Sequence, residues 1–136
     1  MAARTRVIIT GVLGKMGIET AQAIINDPDL ELVGVVDVRG KNEPISSITT
    51  ASTNDILIQN DLDLVIENSR PDVMVDFTNP QAVFNNAKTA LKNNITCIVG
   101  TTGLNEIELR QLGKMAVENG VGIAIIPNFA IGAVLM

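Results

Sequence analysis

The stretch RVIITGVLGKMG, residues 6–17, joins a β-branched run to three glycines that recur at every third position. The β-branched run predicts a strand over residues 6–10. The apolar spacing that follows predicts a helix over residues 16–26, which Asp27-Pro28 ends. A strand, a glycine-rich turn and a helix in this order are typical of the first unit of an α/β fold.

The three glycines occupy the turn itself. Gly11 permits a sharp bend, Gly14 lets a ligand approach the main chain without a Cβ in the way, and Gly17 lets the helix lie close to the strand. Unpaired N–H groups at the start of a helix stabilise an anion. The turn therefore predicts a pyrophosphate site, although its G-x-x-G-x-x-G spacing is a variant of the usual dinucleotide fingerprint.

The rest of the chain repeats the strand-then-helix order. The further predicted strands cover residues 30–36, 56–59, 73–76, 96–99 and 121–126, and the further predicted helices cover residues 61–68, 81–92 and 106–118. Residues 37–54 are polar and predict a surface loop with little structure of its own. The pattern predicts a single-domain α/β fold with a Rossmann-like, doubly wound, mostly parallel sheet.

The composition argues against several classes of function. The formal net charge of −5 and the three aromatic residues, all Phe, argue against a nucleic-acid partner. No apolar run is long enough for a membrane span and no signal peptide is recognised, so we expect a cytoplasmic protein. The chain has no histidine, and its one cysteine, Cys97, lies in an apolar run, so we expect a buried thiol and no metal site.

Asp37 follows the second predicted strand, about 20 residues after the last glycine of the turn. An acidic side chain there accepts hydrogen bonds from the adenosine ribose of a dinucleotide. A carboxylate would repel a 2′-phosphate and so favours NAD(H), whereas Arg39 could bind that phosphate and so favours NADP(H). The choice between the two cofactors stays open at this point.

Three further segments follow predicted strands, where an open α/β sheet binds its ligand. They are VDFTNP at residues 75–80, VGTTG at residues 99–103 and PNF at residues 127–129. Each is weak evidence alone, since hydroxyl residues and glycines are ordinary loop residues. Together they predict one ligand-binding edge of the sheet.

Taken together, these motifs resemble the dihydrodipicolinate reductase family of the diaminopimelate and lysine pathway. The resemblance rests on the glycine turn with Lys15-Met16, on DFT followed by Pro80, on GTTG, and on Asn128-Phe129 before Gly132. It implies that the following residues contact the nicotinamide cofactor: Gly11, Val12, Leu13, Gly14, Lys15, Met16, Asp37, Gly100, Thr101, Thr102, Pro127, Asn128 and Phe129. The family member with an arginine directly after the acidic residue uses it to bind the 2′-phosphate of NADP(H), whereas this chain has Val38 there and Arg39 one position later.

The resemblance also implies two domains, one that binds the cofactor and one that binds the substrate. Residues 1–127 would form the dinucleotide-binding domain, and residues 128–136 would begin the connection to a substrate-binding domain that this sequence does not contain. In the family that second domain supplies the histidine pair, the lysine and the Gly-Thr motif that bind the small cyclic dicarboxylate and protonate it. We therefore assign no catalytic residue to this chain, and we expect it to bind the cofactor with little or no reductase activity.

Two alternatives stay open from the sequence. The first alternative is a dinucleotide-binding module without turnover. The second is the N-terminal half of another dehydrogenase, such as a homoserine or sugar dehydrogenase. The apolar segment at residues 127–136 predicts that the chain continues, or that this segment packs on another surface and promotes self-association.

Overall fold

The computed structural model describes residues 3–49 and 56–126, and within them six strands and four α-helices follow one another in alternation except between the second and third strands. The strands are β1 (Thr5–Thr10), β2 (Leu30–Val36), β3 (Ile58–Gln59), β4 (Val73–Asp76), β5 (Thr96–Val99) and β6 (Ile123–Ile125). The helices are α1 (Lys15–Asn26), α2 (Leu62–Ser69), α3 (Val83–Lys92) and α4 (Glu106–Asn119). These elements confirm the predicted α/β fold.

The strands form one sheet in the order β3-β2-β1-β4-β5-β6, and every pair of neighbours is parallel. The chain runs outward from β1 to β3, then returns to the other side of β1 and runs outward again from β4 to β6. The strand order therefore reverses between β1 and β4. In sheets of this kind, a crevice for the ligand opens beyond the carboxyl ends of the strands at the reversal.

Hydrophobic side chains cover both faces of the sheet. Alternate residues of β1 point to opposite faces: Ile8 belongs to a cluster that includes Leu91 of α3, whereas Val7 and Ile9 belong to a cluster that includes Ala21 of α1. Ile8 and Ile9 are fully buried. Within the described residues, no helix combines the length and the apolar character that crossing a membrane requires.

Two elements begin later than predicted, because hydrogen bonds hold the preceding residues in turns. Helix α3 begins at Val83 rather than at residue 81, because the Asn79 side chain accepts hydrogen bonds from the N–H groups of Gln81 and Ala82 at 3.0 and 2.9 Å and forms a separate turn. Strand β6 is shorter than the predicted 121–126, because the N–H of Val121 still bonds to the end of α4.

Residues 37–49, the first part of the predicted loop 37–54, contain no β-strand and no α-helix, as predicted, but they are held by one short turn that the sequence does not predict. A 3₁₀ turn covers Ile45–Ser47, and the Ile45 side chain is fully buried. The Ile45 N–H donates to the carbonyl oxygen of Ile56 at 2.7 Å, and Pro44 forms an antiparallel bridge with Leu57. One buried isoleucine therefore anchors a segment whose composition is that of a loop.

Candidate functional site

The turn between β1 and α1 packs against the loop that follows β4. Gly11 has a φ of 80°, and a Cβ at this position would overlap the carbonyl oxygen of Phe77. The N–H groups of Gly11 and Val12 both donate to the Val36 carbonyl oxygen, at 2.8 and 3.2 Å. Gly11 is thus required by the fold, since only glycine combines this φ with this close approach.

Gly14 and Gly17 differ in what surrounds them. A Cβ at Gly17 would overlap main-chain atoms of Gly11 and Val12, so a larger residue there would push α1 away from the turn. A Cβ at Gly14 would meet only the Gly11 carbonyl oxygen, at an ordinary 3.6 Å, and Gly14 has an extended backbone that any residue adopts. The protein itself therefore does not require a glycine at position 14.

The amino end of α1 is open to an anion. Ile18 is the first residue of the helix whose N–H reaches an acceptor, the Gly14 carbonyl oxygen at 2.9 Å. Within the described residues, the N–H groups of Lys15, Met16 and Gly17 have no hydrogen-bond acceptor. No acidic side chain occupies the first turn. Three free donors at the positive end of a helix dipole favour a bound phosphate.

The Asp37 side chain is only 5% exposed and lies directly beside this turn. Its Oδ2 accepts a hydrogen bond from the Leu13 N–H at 3.0 Å, and its Oδ1 accepts from the Arg39 N–H at 2.9 Å and from Arg39 Nε at 3.1 Å. Burial alone would raise the pKa of Asp37, but the hydrogen bonds from Arg39 and Leu13 outweigh it, and the pKa lies below its ordinary value. Asp37 is therefore a buried carboxylate that stays ionised at neutral pH.

Arg39 covers the Asp37 carboxylate from the solvent side. Its guanidinium group also approaches Asp37 Oδ2 with Nη2 at 3.3 Å, yet its side chain is 64% exposed. Because the Arg39 end of this pair is exposed and two main-chain N–H groups also bond to the Asp37 carboxylate, the guanidinium group can move away without disturbing the core. The cation is free to turn toward a ligand while the carboxylate stays in place.

These groups surround one cleft of about 500 Å³ at the carboxyl ends of β1, β2 and β4. Its lining includes Gly11, Gly14, Asp37, Arg39, Thr78 and Asn86. The structure thus brings the glycine turn and the acidic residue together, as the sequence predicts. The loop after β4, predicted only as part of a ligand-binding edge, supplies the opposite wall.

The other predicted site residues are placed as follows. Lys15 is exposed, Leu13 and Met16 are half-buried, and Val12 is fully buried, so its side chain belongs to the core. Gly100, Thr101 and Thr102 follow β5, one strand beyond the cleft, and are half-buried or exposed. Pro127, Asn128 and Phe129 lie outside the described residues, as does the predicted domain boundary at residues 127 and 128.

The loops after β4 and β5 are joined. The Gly100 N–H donates to the Asp76 carbonyl oxygen at 2.9 Å, and the Thr101 hydroxyl lies 2.7 Å from Asp76 Oδ1. A Cβ at Gly103 would lie 2.5 Å from Cβ of Pro80, so the two loops are also packed against each other. Residues 100–103 therefore hold a defined position next to the cleft.

A second cavity, of about 620 Å³, lies at the other end of the sheet, beside the first residues of β2. The charged side chains on its wall are partly paired, with Arg4 and Arg6 each 3.7 Å from Glu31. Ligands of parallel sheets bind at the carboxyl ends of the strands, so this cavity is not the candidate site. Across residues 3–49 and 56–126, no group of three His, Cys, Asp or Glu side chains is placed to hold a metal ion.

Comparison with known proteins relates the chain to one family. A family model described as dihydrodipicolinate reductase, N-terminus, matches residues 5–129. The 4-hydroxy-tetrahydrodipicolinate reductase of Syntrophomonas wolfei subsp. wolfei is 58% identical over 136 residues, which is 100% of this chain and 51% of that protein. The chain spans about half the length of the curated relatives it matches.

Solved structures agree with this relation. The dipicolinate-bound dihydrodipicolinate reductase from Paenisporosarcina sp. TG-14 superposes with a TM-score of 0.81 at 36% identity, over 97% of this chain and 50% of that one. GenD2 from gentamicin A biosynthesis, solved in complex with NAD, superposes with a TM-score of 0.73 at 23% identity, over 92% of this chain and 35% of that one. The second similarity shows the fold alone.

Proposed function

This chain belongs to the dihydrodipicolinate reductase family, as an N-terminal domain, and we propose that it binds the nicotinamide dinucleotide of a 4-hydroxy-tetrahydrodipicolinate reductase. The alternative of a homoserine or sugar dehydrogenase half is not supported, because the identity to a reductase of this family reaches 58% over the whole chain. A module without turnover would share the same cofactor site, so the proposal for the chain itself concerns binding.

The observation that carries this proposal is the position of Gly14. It lines the cleft at the open amino end of α1, and the fold does not require a glycine there. The missing side chain leaves room for a ligand to reach the free N–H groups of the first helical turn. In our proposal these N–H groups hold the pyrophosphate and Asp37 accepts hydrogen bonds from the adenosine ribose.

The nicotinamide half of the cofactor would lie on the β4 and β5 side of the reversal in strand order. Gly100, Thr101 and Thr102 are the proposed contacts there, together with Pro127, Asn128 and Phe129. A bound reduced nicotinamide supplies a hydride, and the protein binds and orients it. The residues of this chain would thus set where the ring lies relative to a substrate.

We further propose that the site accepts both NADH and NADPH. With NADH, the ribose hydroxyl groups would donate to the Asp37 carboxylate, in place of the exposed Arg39 side chain. With NADPH, the Arg39 guanidinium would turn outward and pair with the 2′-phosphate, so that the phosphate does not face Asp37 unscreened. The order of the two residues, Asp37 buried and Arg39 exposed, supports this assignment.

The reduction itself is proposed for proteins of the relatives' full length, about twice that of this chain. Its substrate would be the small cyclic dicarboxylate intermediate of diaminopimelate and lysine biosynthesis, consistent with the dipicolinate bound in the Paenisporosarcina enzyme. We assign no catalytic residue to this chain, and we place the reaction in the cytoplasm, where reduced nicotinamide cofactors are available. Self-association of the chain is a further proposal, which sedimentation of the 136-residue protein would check.

The experiment that tests the binding site is a calorimetric titration of the chain with NADH and with NADPH. We expect Gly14→Ala to keep the melting temperature of the unchanged protein and to raise both dissociation constants by at least roughly tenfold, equal to about 1.4 kcal/mol. Gly113→Ala, on an open face of α4 with no atom within 4 Å of the added Cβ, is the matched control and should bind normally.

Two further variants separate the cofactors. Asp37→Ala should weaken NADH more than NADPH, and Arg39→Ala should weaken NADPH alone. If the unchanged chain bound neither cofactor, or if Gly14→Ala bound both as tightly as the unchanged chain, the proposed site would be wrong.

A further inference from the structure

Asp76 is the last residue of β4 and its side chain is fully buried. Neither Arg nor Lys forms an ion pair with it in the described part of the chain. A buried carboxylate without a cation is stable only when hydrogen bonds satisfy its oxygens. The structure supplies these bonds in an unusual number.

Five donors converge on the two carboxylate oxygens. Oδ1 accepts from the N–H of Thr78 at 3.0 Å, from the Thr78 hydroxyl at 2.7 Å and from the Thr101 hydroxyl at 2.7 Å. Oδ2 accepts from the Thr10 hydroxyl at 2.8 Å and from the side-chain amide of Asn86 at 3.0 Å. In this arrangement all five groups donate, so both carboxylate oxygens are fully engaged as acceptors.

The donors come from four different parts of the fold. Thr10 ends β1, Thr78 lies in the loop after β4, Asn86 lies on α3, and Thr101 lies in the loop after β5. One side chain therefore ties together the carboxyl ends of three adjacent strands and the helix that covers two of them. Two of these strand ends, those of β4 and β5, lie on the side of the reversal away from Asp37, which follows β2, whereas Thr10 ends β1 directly beside the reversal.

We propose that Asp76 is a positioning residue, which fixes the loops after β4 and β5 in the arrangement that receives the nicotinamide half of the dinucleotide. The inference rests on the proposed dinucleotide binding. Asp76 itself does not contact the cofactor, because it is fully buried. It acts through Thr78, which lines the cleft, and through Thr101 in the neighbouring loop. The pyrophosphate and the adenosine ribose, held by the glycine turn and Asp37, depend on it much less.

The difference between the two halves of the cofactor gives the test. NADH and ADP share the adenosine and the two phosphates, but only NADH carries the nicotinamide ribose. We expect Asp76→Ala to raise the dissociation constant of the 136-residue chain for NADH at least roughly tenfold, and that for ADP less than about twofold. A residue with a merely structural role would weaken both ligands by the same factor.

Asp76→Asn separates positioning by hydrogen bonds from an effect of charge. The amide oxygen can accept from Thr78 and Thr101, and the amide nitrogen can donate to Thr10 and to Asn86, whose own amide can turn to present its oxygen. We expect this variant to bind NADH within about threefold of the unchanged chain. The matched control is Ser69→Ala, which removes a buried hydroxyl group near the amino end of β4 and should alter neither titration.

If Asp76→Ala does not fold, Thr10→Val replaces it. Valine keeps the shape of threonine and removes one of the two donors to Oδ2, so the same selective loss of NADH binding is expected at about threefold. Equal weakening of NADH and ADP, normal NADH binding by Asp76→Ala or by Thr10→Val in its place, or an Asp76→Asn variant as weak as Asp76→Ala would overturn the positioning role. Failure of the unchanged chain to bind either ligand would instead overturn the proposed function.

Discussion

Replacing Asp37 by Asn changes one oxygen of a buried carboxylate into an NH₂ group and leaves the shape almost unchanged. In the structure both oxygens accept a main-chain N–H: Oδ2 accepts that of Leu13 and Oδ1 accepts that of Arg39. Neither main-chain group can act as an acceptor, and the Arg39 guanidinium group also only donates. Only the carboxylate accepts from both main-chain N–H groups, because an amide in either orientation places its NH₂ group against one of these donors.

The magnitude follows from the cost of one unsatisfied main-chain donor. A buried donor that loses its acceptor costs about 1–3 kcal/mol, so we expect Asp37→Asn to lower the free energy of unfolding by that amount. For a domain of this size that corresponds to a fall in melting temperature of roughly 3–9 °C. The same variant loses an acceptor for the adenosine ribose, so the dissociation constant for NADH should rise roughly tenfold, equal to about 1.4 kcal/mol.

Urea unfolding followed by circular dichroism measures the first effect, and calorimetric titration with NADH measures the second. The matched control is Asp61→Asn. Asp61 caps α2 by accepting a single N–H, that of Leu64 at 3.1 Å, and asparagine caps helices about as well as aspartate. An Asp37→Asn variant as stable as Asp61→Asn would refute the reasoning, since it would mean that the two oxygens of Asp37 are not both engaged by main-chain donors.

Three further predictions follow from individual residues. The pKa of Asp37 lies below its ordinary value of 3.8, so the stabilisation from its ionised form is complete well above that value and is lost as the pH falls from it toward the folded-state pKa. The difference in unfolding free energy between the unchanged chain and Asp37→Asn should therefore shrink as the pH is lowered below about 4. Gly17→Ala should lower the unfolding free energy by about 1–3 kcal/mol, because the added Cβ would overlap the main chain of the turn. Gly113→Ala should raise the unfolding free energy by about 0.5–1 kcal/mol, because alanine favours the helix and the added Cβ meets no atom within 4 Å. Urea unfolding of both variants measures these opposite changes. Burial, and to a smaller extent the nearby Asp76 carboxylate, raise the pKa of Cys97 to about 12, so a thiol reagent at pH 8 should modify the folded chain roughly 1,000-fold more slowly than the urea-unfolded chain.

The order of strands and helices could be predicted because each element carries its own local pattern. β-branched runs, apolar residues at helical spacing and helix-capping side chains all act over a few residues; in the structure Asp61 caps α2 and Asn105 caps α4. Element ends were less predictable, since they depend on side chains that compete with the helix. The Asn79 side chain delays the start of α3 in this way. The burial of Ile45 could not be predicted either, because the sequence does not show which isoleucine in a polar segment reaches the core.

The same difference between local patterns and contacts of distant residues applies to the candidate site. Asp37 and the glycine turn are recognisable from their spacing, and the structure brings them together at one cleft. In the sequence, Asp76 stands out only as part of the DFT motif at residues 76–78. Its role depends on donors as distant in sequence as Thr10 and Thr101, and the sheet alone brings them together. Spacing predicts a site formed by one continuous turn, but it does not predict a network assembled from three strand ends.

The three glycines of the turn show what a motif alone leaves undecided. The sequence predicts a different role for each of them, but the spacing alone does not test these roles, since all three have the same freedom of backbone. In the structure Gly11 and Gly17 are required by contacts within the protein, with Phe77 and with the turn itself, so both would persist in a domain that binds nothing. Gly14 has no such contact and faces the cleft. Of the three glycines, Gly14 therefore gives the evidence for a ligand, because the fold does not require it. Titration of Gly14→Ala with NADH and NADPH is the measurement that separates a turn that binds a ligand from one that is only structural.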